Sequence, residues 1–275
     1  MDWLVYIFYG FISGLGQILP VSVGAHDFFL ELMTNFSADQ PLLQLSSHFA
    51  SLLALGLFFR HRIAHIYREM RTASLPAKSR KRQPDLVAVL DGRVLLAMLI
   101  PMAIGLLLTR SVTARTANLP MVSLMLLLSG LMLYLPQFLQ GANRDSRHLS
   151  RLEAFGFGVC AGLSALPGVS RTGMVLSVGA VRGCERRYTL DLSMLAMIPL
   201  LLLMMVMDLV GLRLVLTSIG LLQIVYALLA AAASFGATCL AIAAMRFLVV
   251  NRGYTVFSYY NWGLAIFGFI LYLVI

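Results

Sequence analysis

The side chains best suited to chemistry in this 275-residue chain fall within one short stretch, Pro167-Gly-Val-Ser-Arg-Thr-Gly173. It holds a guanidinium (Arg171), two hydroxyls (Ser170, Thr172) and two glycines (Gly168, Gly173). Arginine presents a planar fork of donors that matches phosphate oxygens. Backbone N–H groups at the start of a following helix would add neutral donors and a positive dipole end. Such a loop suits an anion, and phosphate fits it best. The same arginine could instead pair with helix C-terminal carbonyls or with an internal acid. Ser170 could act as a nucleophile if a base lay nearby, and by residue type the candidates are His26 and His48. The bland reading of each is a hydrogen-bonded packing histidine. His26 follows Ser22 by one helical turn, so both can face one site. Asp27 and Glu31 are expected near the external surface, Asp208 is expected to reach the interface, and Gln223 is expected to hydrogen-bond between helices.

The elements that must carry these groups lie in lipid. The chain is 60% hydrophobic and only 12% charged, with a mean hydropathy of +0.86. A soluble domain carries about 25% charged residues and could not hide so much apolar surface. Disorder, fibrous repeats and secreted disulfide scaffolds are excluded by the same composition. Cys160, Cys184 and Cys239 have no metal-ligand spacing and read as small packing residues. Met1 and Asp2 precede an apolar run without a basic n-region or a convincing cleavage site. The N-terminus is therefore expected to stay in the mature protein.

A spanning helix needs about 20 mostly apolar residues. Six stretches fit: Leu42–Phe59, Val94–Thr109, Leu119–Leu139, Leu192–Leu212, Ile219–Met245 and Val256–Ile275. Two further regions are interrupted. Trp3–Phe36 contains Gly14, Gly16, Gln17, Pro20, Ser22 and His26, and Ala154–Val181 contains Pro167, Gly168, Ser170 and Arg171. Such breaks are tolerated at membrane depth only inside protein or beside a cavity, so each region reads as a re-entrant helical hairpin. An ordinary kinked span is the alternative.

The basic residues set the orientation. Nine Lys and Arg between Arg60 and Arg93 mark a cytoplasmic loop. Taking Ala154–Val181 as a hairpin puts Arg144, Arg147, Arg151, Arg182, Arg186, Arg187, Arg246 and Arg252 on that side too. Only Arg110, Arg115 and Arg213 lie outside, with Arg171 left within the membrane. The net charge of +9 is thus mostly topology. The loop 60–93 is expected to be solvated beside anionic headgroups, and nucleic-acid binding is not expected. The first hairpin then enters from the external face and the second from the cytoplasmic face. That is the geometry of an inverted repeat, and Gly14-Leu-Gly-Gln-Ile-Leu-Pro-Val-Ser22 resembles Gly162-Leu-Ser-Ala-Leu-Pro-Gly-Val-Ser170. The expected fold is an all-α integral membrane protein forming a single membrane domain over 1–275. It has six transmembrane helices and two re-entrant hairpins in an inverted repeat with halves of about 1–140 and 150–275.

Leu19-Pro-Val-Ser22 followed by His26, His48-Phe-Ala-Ser-Leu-Leu-Ala54 before Phe58-Phe-Arg60, and Pro167-Gly-Val-Ser-Arg-Thr-Gly173 together resemble the undecaprenyl-diphosphatase (bacitracin-resistance) family in order and spacing. The resemblance covers essentially the whole chain. It implies a bacterial inner-membrane protein with interdigitated inverted repeats, an external N-terminus and a site opening outward. Its activity would be release of phosphate from undecaprenyl diphosphate, recycling the lipid carrier of cell-wall synthesis. By that resemblance the catalytic residues would be Ser170, which attacks or positions the phosphorus, Arg171, which binds phosphate, and His26, which assists proton transfer. Gly168, Thr172, Gly173, Ser22, Gln17, Ser13 and His48 would complete the phosphate site.

The sequence departs from the family where two acidic residues four apart, the first sometimes Gln, are expected before Leu-Pro-Val-Ser. Ser13 and Gln17 stand there. Val23-Gly-Ala25 replaces a run of small hydroxyl residues, and Val175 stands where a threonine is expected. Mg²⁺ or Ca²⁺ would be the family's cofactor, but both prefer charged oxygen ligands, and no residue here is assigned as a metal ligand. Two functions follow. One is a polyprenyl-diphosphate phosphatase, with Asp27, Glu31 or a metal-free route standing in for the missing acids. The other is a non-hydrolytic polyprenyl-phosphate flippase with a phosphatase-like site. The expected partners are a polyprenyl phosphate or diphosphate and the bilayer, with homodimerisation left open.

Overall fold

The computed structural model describes residues 2–34, 36–37, 40–139, 143–215, 219–251 and 253–274. Among the described residues ten α-helices follow in order: α1 Asp2–Ile18, α2 Val23–Thr34, α3 Pro41–Ser74, α4 Leu86–Thr116, α5 Leu119–Tyr134, α6 Arg151–Leu163, α7 Arg171–Val181, α8 Arg186–Val215, α9 Leu221–Asn251 and α10 Thr255–Val274. Six of them (α3, α4, α5, α8, α9 and α10) are long and apolar enough to cross a membrane. The chain is therefore an all-helical, multi-pass membrane protein. Leucines such as Leu108, Leu214 and Leu228 are exposed along these helices, as a lipid-facing surface requires. Arg252 lies outside the described residues, as do the side chains of Arg110 and Arg115.

The helices overrun the apolar windows that mark them in sequence. α3 continues to Ser74 and α4 begins at Leu86, so the basic segment 60–93 is mostly helix, with a short link at 75–85. Arg, Glu, Met and Ala favour helix once the chain reaches water, and the ends are fastened by charge. Glu69 accepts Arg82 Nη1 at 2.9 Å and the Asp85 N–H at 2.9 Å. Arg62 on α3 reaches Asp91 on α4 (3.2 Å) and Asp191 on α8. Arg246 on α9 reaches Asp191 at 3.3 Å and lies over the Phe58 ring, 4.6 Å from its centroid. Four helices are thus clasped at the basic end. α8 passes through the middle, with every residue from Tyr188 to Met197 buried.

The interrupted regions form two pairs of short helices. α1 and α2 are separated by Leu19–Ser22, and α6 and α7 by Ser164–Ser170. Gly14, Gly16 and Gln17 lie within α1, so the break comes only at Leu19-Pro20. Gly168 takes φ +97°, the left-handed region open to glycine. Its missing side chain also matters, since a Cβ there would sit 2.6 Å from the Val122 carbonyl oxygen.

Glycines seat the first helix of each pair. A Cβ at Gly10 or Gly14 would fall 2.1 Å from the Ala230 carbonyl oxygen or 2.3 Å from that of Ser234, both on α9. A Cβ at Gly158 or Gly162 would fall 2.5 Å from the Met98 carbonyl oxygen or 2.7 Å from that of Met102, both on α4. Small residues at i and i+4 let backbones meet where the solvent gives no hydrophobic drive to associate. Arg144 and Arg182 join the start of α6 to the end of α7 through Glu153 (3.1 and 2.8 Å). The Ser150 N–H, followed by those two arginines, holds the Glu153 carboxyl down at about 2.

These contacts separate the glycines into two classes. Gly14→Ala and Gly162→Ala should each destabilise the protein in detergent by about 1–3 kcal/mol through forced backbone separation. Gly56→Ala, with nothing within 4 Å of its Cβ, should be neutral or stabilising. Thermal unfolding of the purified variants measures the difference.

Candidate functional site

The two breaks meet. The Ser22 hydroxyl accepts the Ala25 N–H at 3.2 Å, capping α2, and also accepts the Gly168 N–H from the other break at 2.8 Å. Gly24 packs on Pro167, whose Cα would lie 3.3 Å from a Cβ at that position. Asn261 of α10 donates to the Pro20 carbonyl at 3.1 Å. Ser129 of α5 accepts the Ser170 N–H at 3.2 Å. Each of the four hydrogen bonds satisfies a backbone group at or beside a helix break. Ser22, Ser129 and Ser170 are all buried.

Arg171 opens α7 at this junction. Its Nη1 donates to Gln17 Oε1 at 2.6 Å, and Thr172 Oγ1 donates to the Gln17 carbonyl at 3.3 Å. Guanidinium is a donor only, so the amide oxygen must face it and the amide nitrogen must turn away. Gln17 is fully buried, and its Nε2 has no hydrogen-bond partner among the described residues. Gln17 belongs to a stripe on α1, Tyr9-Ser13-Gln17, spaced four apart on one helix face. Tyr9 lies in the electrostatic field of Asp27, Asp208 and Arg171. The same two carboxylates act on Arg171.

The site residues read from sequence are thus only partly brought together. Ser22, Gln17, Gly168, Ser170, Arg171, Thr172 and Gly173 share the junction. Ser170 Oγ accepts the Gly173 N–H at 3.0 Å as the cap of α7. His26 stands beside the junction: Nδ1 donates to the Ser22 carbonyl (2.6 Å) and Nε2 meets Tyr260 Oη (2.6 Å). His48 pairs with Asp208 at 2.7 Å. Asp208 therefore does not reach the interface: it is 1% exposed, because a partner waits for it on α3. Asp27 is half-buried and acts electrostatically on Arg171. Gln223 accepts the N–H of Gly220 and so closes its own helix start rather than joining two helices.

Sequence reading missed Tyr9, Tyr260, Ser129 and Asn261. The four-residue spacing of Tyr9, Ser13 and Gln17 could have flagged the first. Nothing in the local sequence marks the other three. The site does not fit a carboxylate-held divalent cation. Ser13 and Gln17 are neutral donors, Gln17 Oε1 is occupied by Arg171, and no three His, Cys, Asp or Glu side chains among the described residues converge to hold a metal.

Ser22 is the cross-link between the breaks. Ser22→Ala leaves the buried Gly168 N–H without its acceptor and should cost about 1–3 kcal/mol. Ser22→Thr, which keeps the oxygen, should cost less. Thermal unfolding of the two variants ranks them.

Residues 6–267 match a family model described as "Bacitracin resistance protein BacA". Curated relatives include an undecaprenyl-diphosphatase of Desulforapulum autotrophicum, 33% identical over 67% of this chain and 70% of that protein. An undecaprenyl-diphosphatase of Halothermothrix orenii is 26% identical over 98% of each chain. One of Methanobrevibacter smithii is 28% identical over 98% of this chain and 97% of its own. With 262 of its residues under that family model, the chain belongs to the bacitracin resistance protein BacA family.

Proposed function

We propose that the protein hydrolyses a polyprenyl diphosphate, of which undecaprenyl diphosphate is the family's example, to the lipid monophosphate and inorganic phosphate. The observation that carries this reading is the pair of donors at the junction, the half-buried Arg171 and the buried, unpartnered Gln17 Nε2. A cation and a neutral N–H close together in a low-dielectric interior favour a multiply charged oxyanion. The N-terminus of α7 adds its dipole to the same point. Arg171 holds the distal phosphate, Ser170 and Ser22 set the loop geometry, and Gly168 and Gly173 allow the close approach. The relatives' names support hydrolysis and lend nothing to transport.

The same reading includes the topology. α1, α2, α6 and α7 have 17, 12, 13 and 11 residues, so each is at most about 26 Å long at 1.5 Å per residue. That falls short of a hydrocarbon core of about 30 Å. Each pair is therefore a re-entrant hairpin meeting the other near mid-membrane. α1 lies along α9 and α6 along α4, which supports two interdigitated halves of opposite orientation. The clasped basic end faces the cytoplasm of a bacterial inner membrane, and the N-terminus is external.

Two experiments test this. Purified protein should release phosphate from farnesyl or undecaprenyl diphosphate, and Arg171→Ala should lower kcat/KM by about 100-fold or more. A wild-type rate no higher than that of Arg171→Ala overturns the hydrolytic reading, and parallel assays with Mg²⁺, Ca²⁺ and chelator establish metal dependence. For topology, Lys81→Cys in a background with the native cysteines changed to serine should react with impermeant thiol reagents only after the cells are opened. Labelling in intact cells would reverse the orientation.

A further inference from the structure

His48 and Asp208 lie far in sequence from residues 167–173, yet they form a buried pair. Their side chains are 7% and 0% exposed, with Nδ1 2.7 Å from Oδ2. A carboxylate removed from water costs several kcal/mol unless it is paired and hydrogen-bonded, and ionisable groups at membrane depth mark function. Three observations tie the pair to the junction. Asp208 acts electrostatically on Arg171 and on Tyr9, which heads the stripe ending at Gln17. Ser51, on the turn after His48, bonds Thr238 at 3.0 Å, and Thr238 donates to the Gly14 carbonyl at 3.2 Å. Gly14 adjoins Ser13, one of the two positions that lack the family's acids. His26, the other candidate base, has both ring nitrogens engaged.

We propose that His48, oriented by Asp208, is the proton acceptor of the site and replaces the carboxylates that Ser13 and Gln17 do not supply. The inference rests on the hydrolytic reading above. A carboxylate oxygen accepts, so in this pair Nδ1 carries the proton and Nε2 presents the free lone pair. A water oxygen bonds to the distal phosphorus while its proton passes to Nε2. The bond from that phosphorus to the bridging oxygen breaks, and its electron pair leaves with the lipid monophosphate. His48 then returns its proton to the released phosphate or to water. Positioned acid–base groups of this kind contribute about 10²–10⁴-fold in rate.

The test measures kcat, KM and the pH–rate profile for phosphate release from farnesyl diphosphate by the full chain. His48→Gln should lower kcat by about 100-fold or more, leave KM roughly unchanged, and abolish the fall in rate on the acid side. Asp208→Asn, close to isosteric, should lower kcat by at least about tenfold and shift the acid limb, and it gives the readout if His48→Gln does not fold. Wild-type kcat in both variants overturns the proposal. A lowered kcat with an unchanged acid limb also overturns it, since that marks a structural role. If wild type itself releases no phosphate, the hydrolytic reading fails first, and the absent wild-type rate separates that failure from the others.

Discussion

A guanidinium keeps its proton when it is packed among apolar helices, so Arg171 must be met by acceptors it can keep. The apolar side chains of those helices offer none. Gln17 Oε1 meets it directly, and Asp27 and Asp208 balance it through space. Much of the architecture serves to bring these partners into place. Gln17 sits at the C-terminal end of α1, and α1 is seated there because Gly10 and Gly14 let it lie against the α9 backbone. Asp27 comes within the same field because the chain turns at Leu19–Ser22. That turn is held by the Gly168 N–H donating to Ser22. Packing and electrostatics are not separable here: a side chain at Gly14 would move Gln17 away from the charge it satisfies.

What could be read from sequence follows from which forces are local. Six long apolar runs declared themselves because a bilayer demands about 20 apolar residues in a row. The two breaks were visible as Pro, Gly and polar residues where lipid tolerates none. Helix ends were less legible, since apolarity marks where lipid stops while propensity decides where the helix stops, and α3 runs on to Ser74. Pairings across the bundle were least legible. Asp208 looked like an interfacial acid because its helix position alone places it near an end. The histidine that buries it is 160 residues away. Tyr260 and His26, 234 residues apart, present the same difficulty.

The residues that carry the family resemblance are basic and hydroxyl, and at positions 13 and 17, where that resemblance leads one to expect acids, stand a serine and an amide. Negative charge is nonetheless present, carried by Asp27 on α2 and Asp208 on α8. Moving a carboxylate from one helix to another preserves the field at Arg171 and discards the geometry that a cation requires, because field falls off gradually with distance while coordination does not. The neutral Gln17 adds what a carboxylate could not, a buried donor beside the arginine.

The charged clasp of Arg62, Asp91, Asp191 and Arg246 stands against a weaker seam of hydroxyls, Ser51, Ser234 and Thr238, deeper in the same bundle. Ion pairs bridging four helices resist rotation, whereas hydroxyl contacts exchange partners at small cost. The clasp thus sets the mutual rotation of α3, α4, α8 and α9 at one end of the bundle, where charge-assisted bonds hold more firmly than the neutral hydroxyl contacts of the seam.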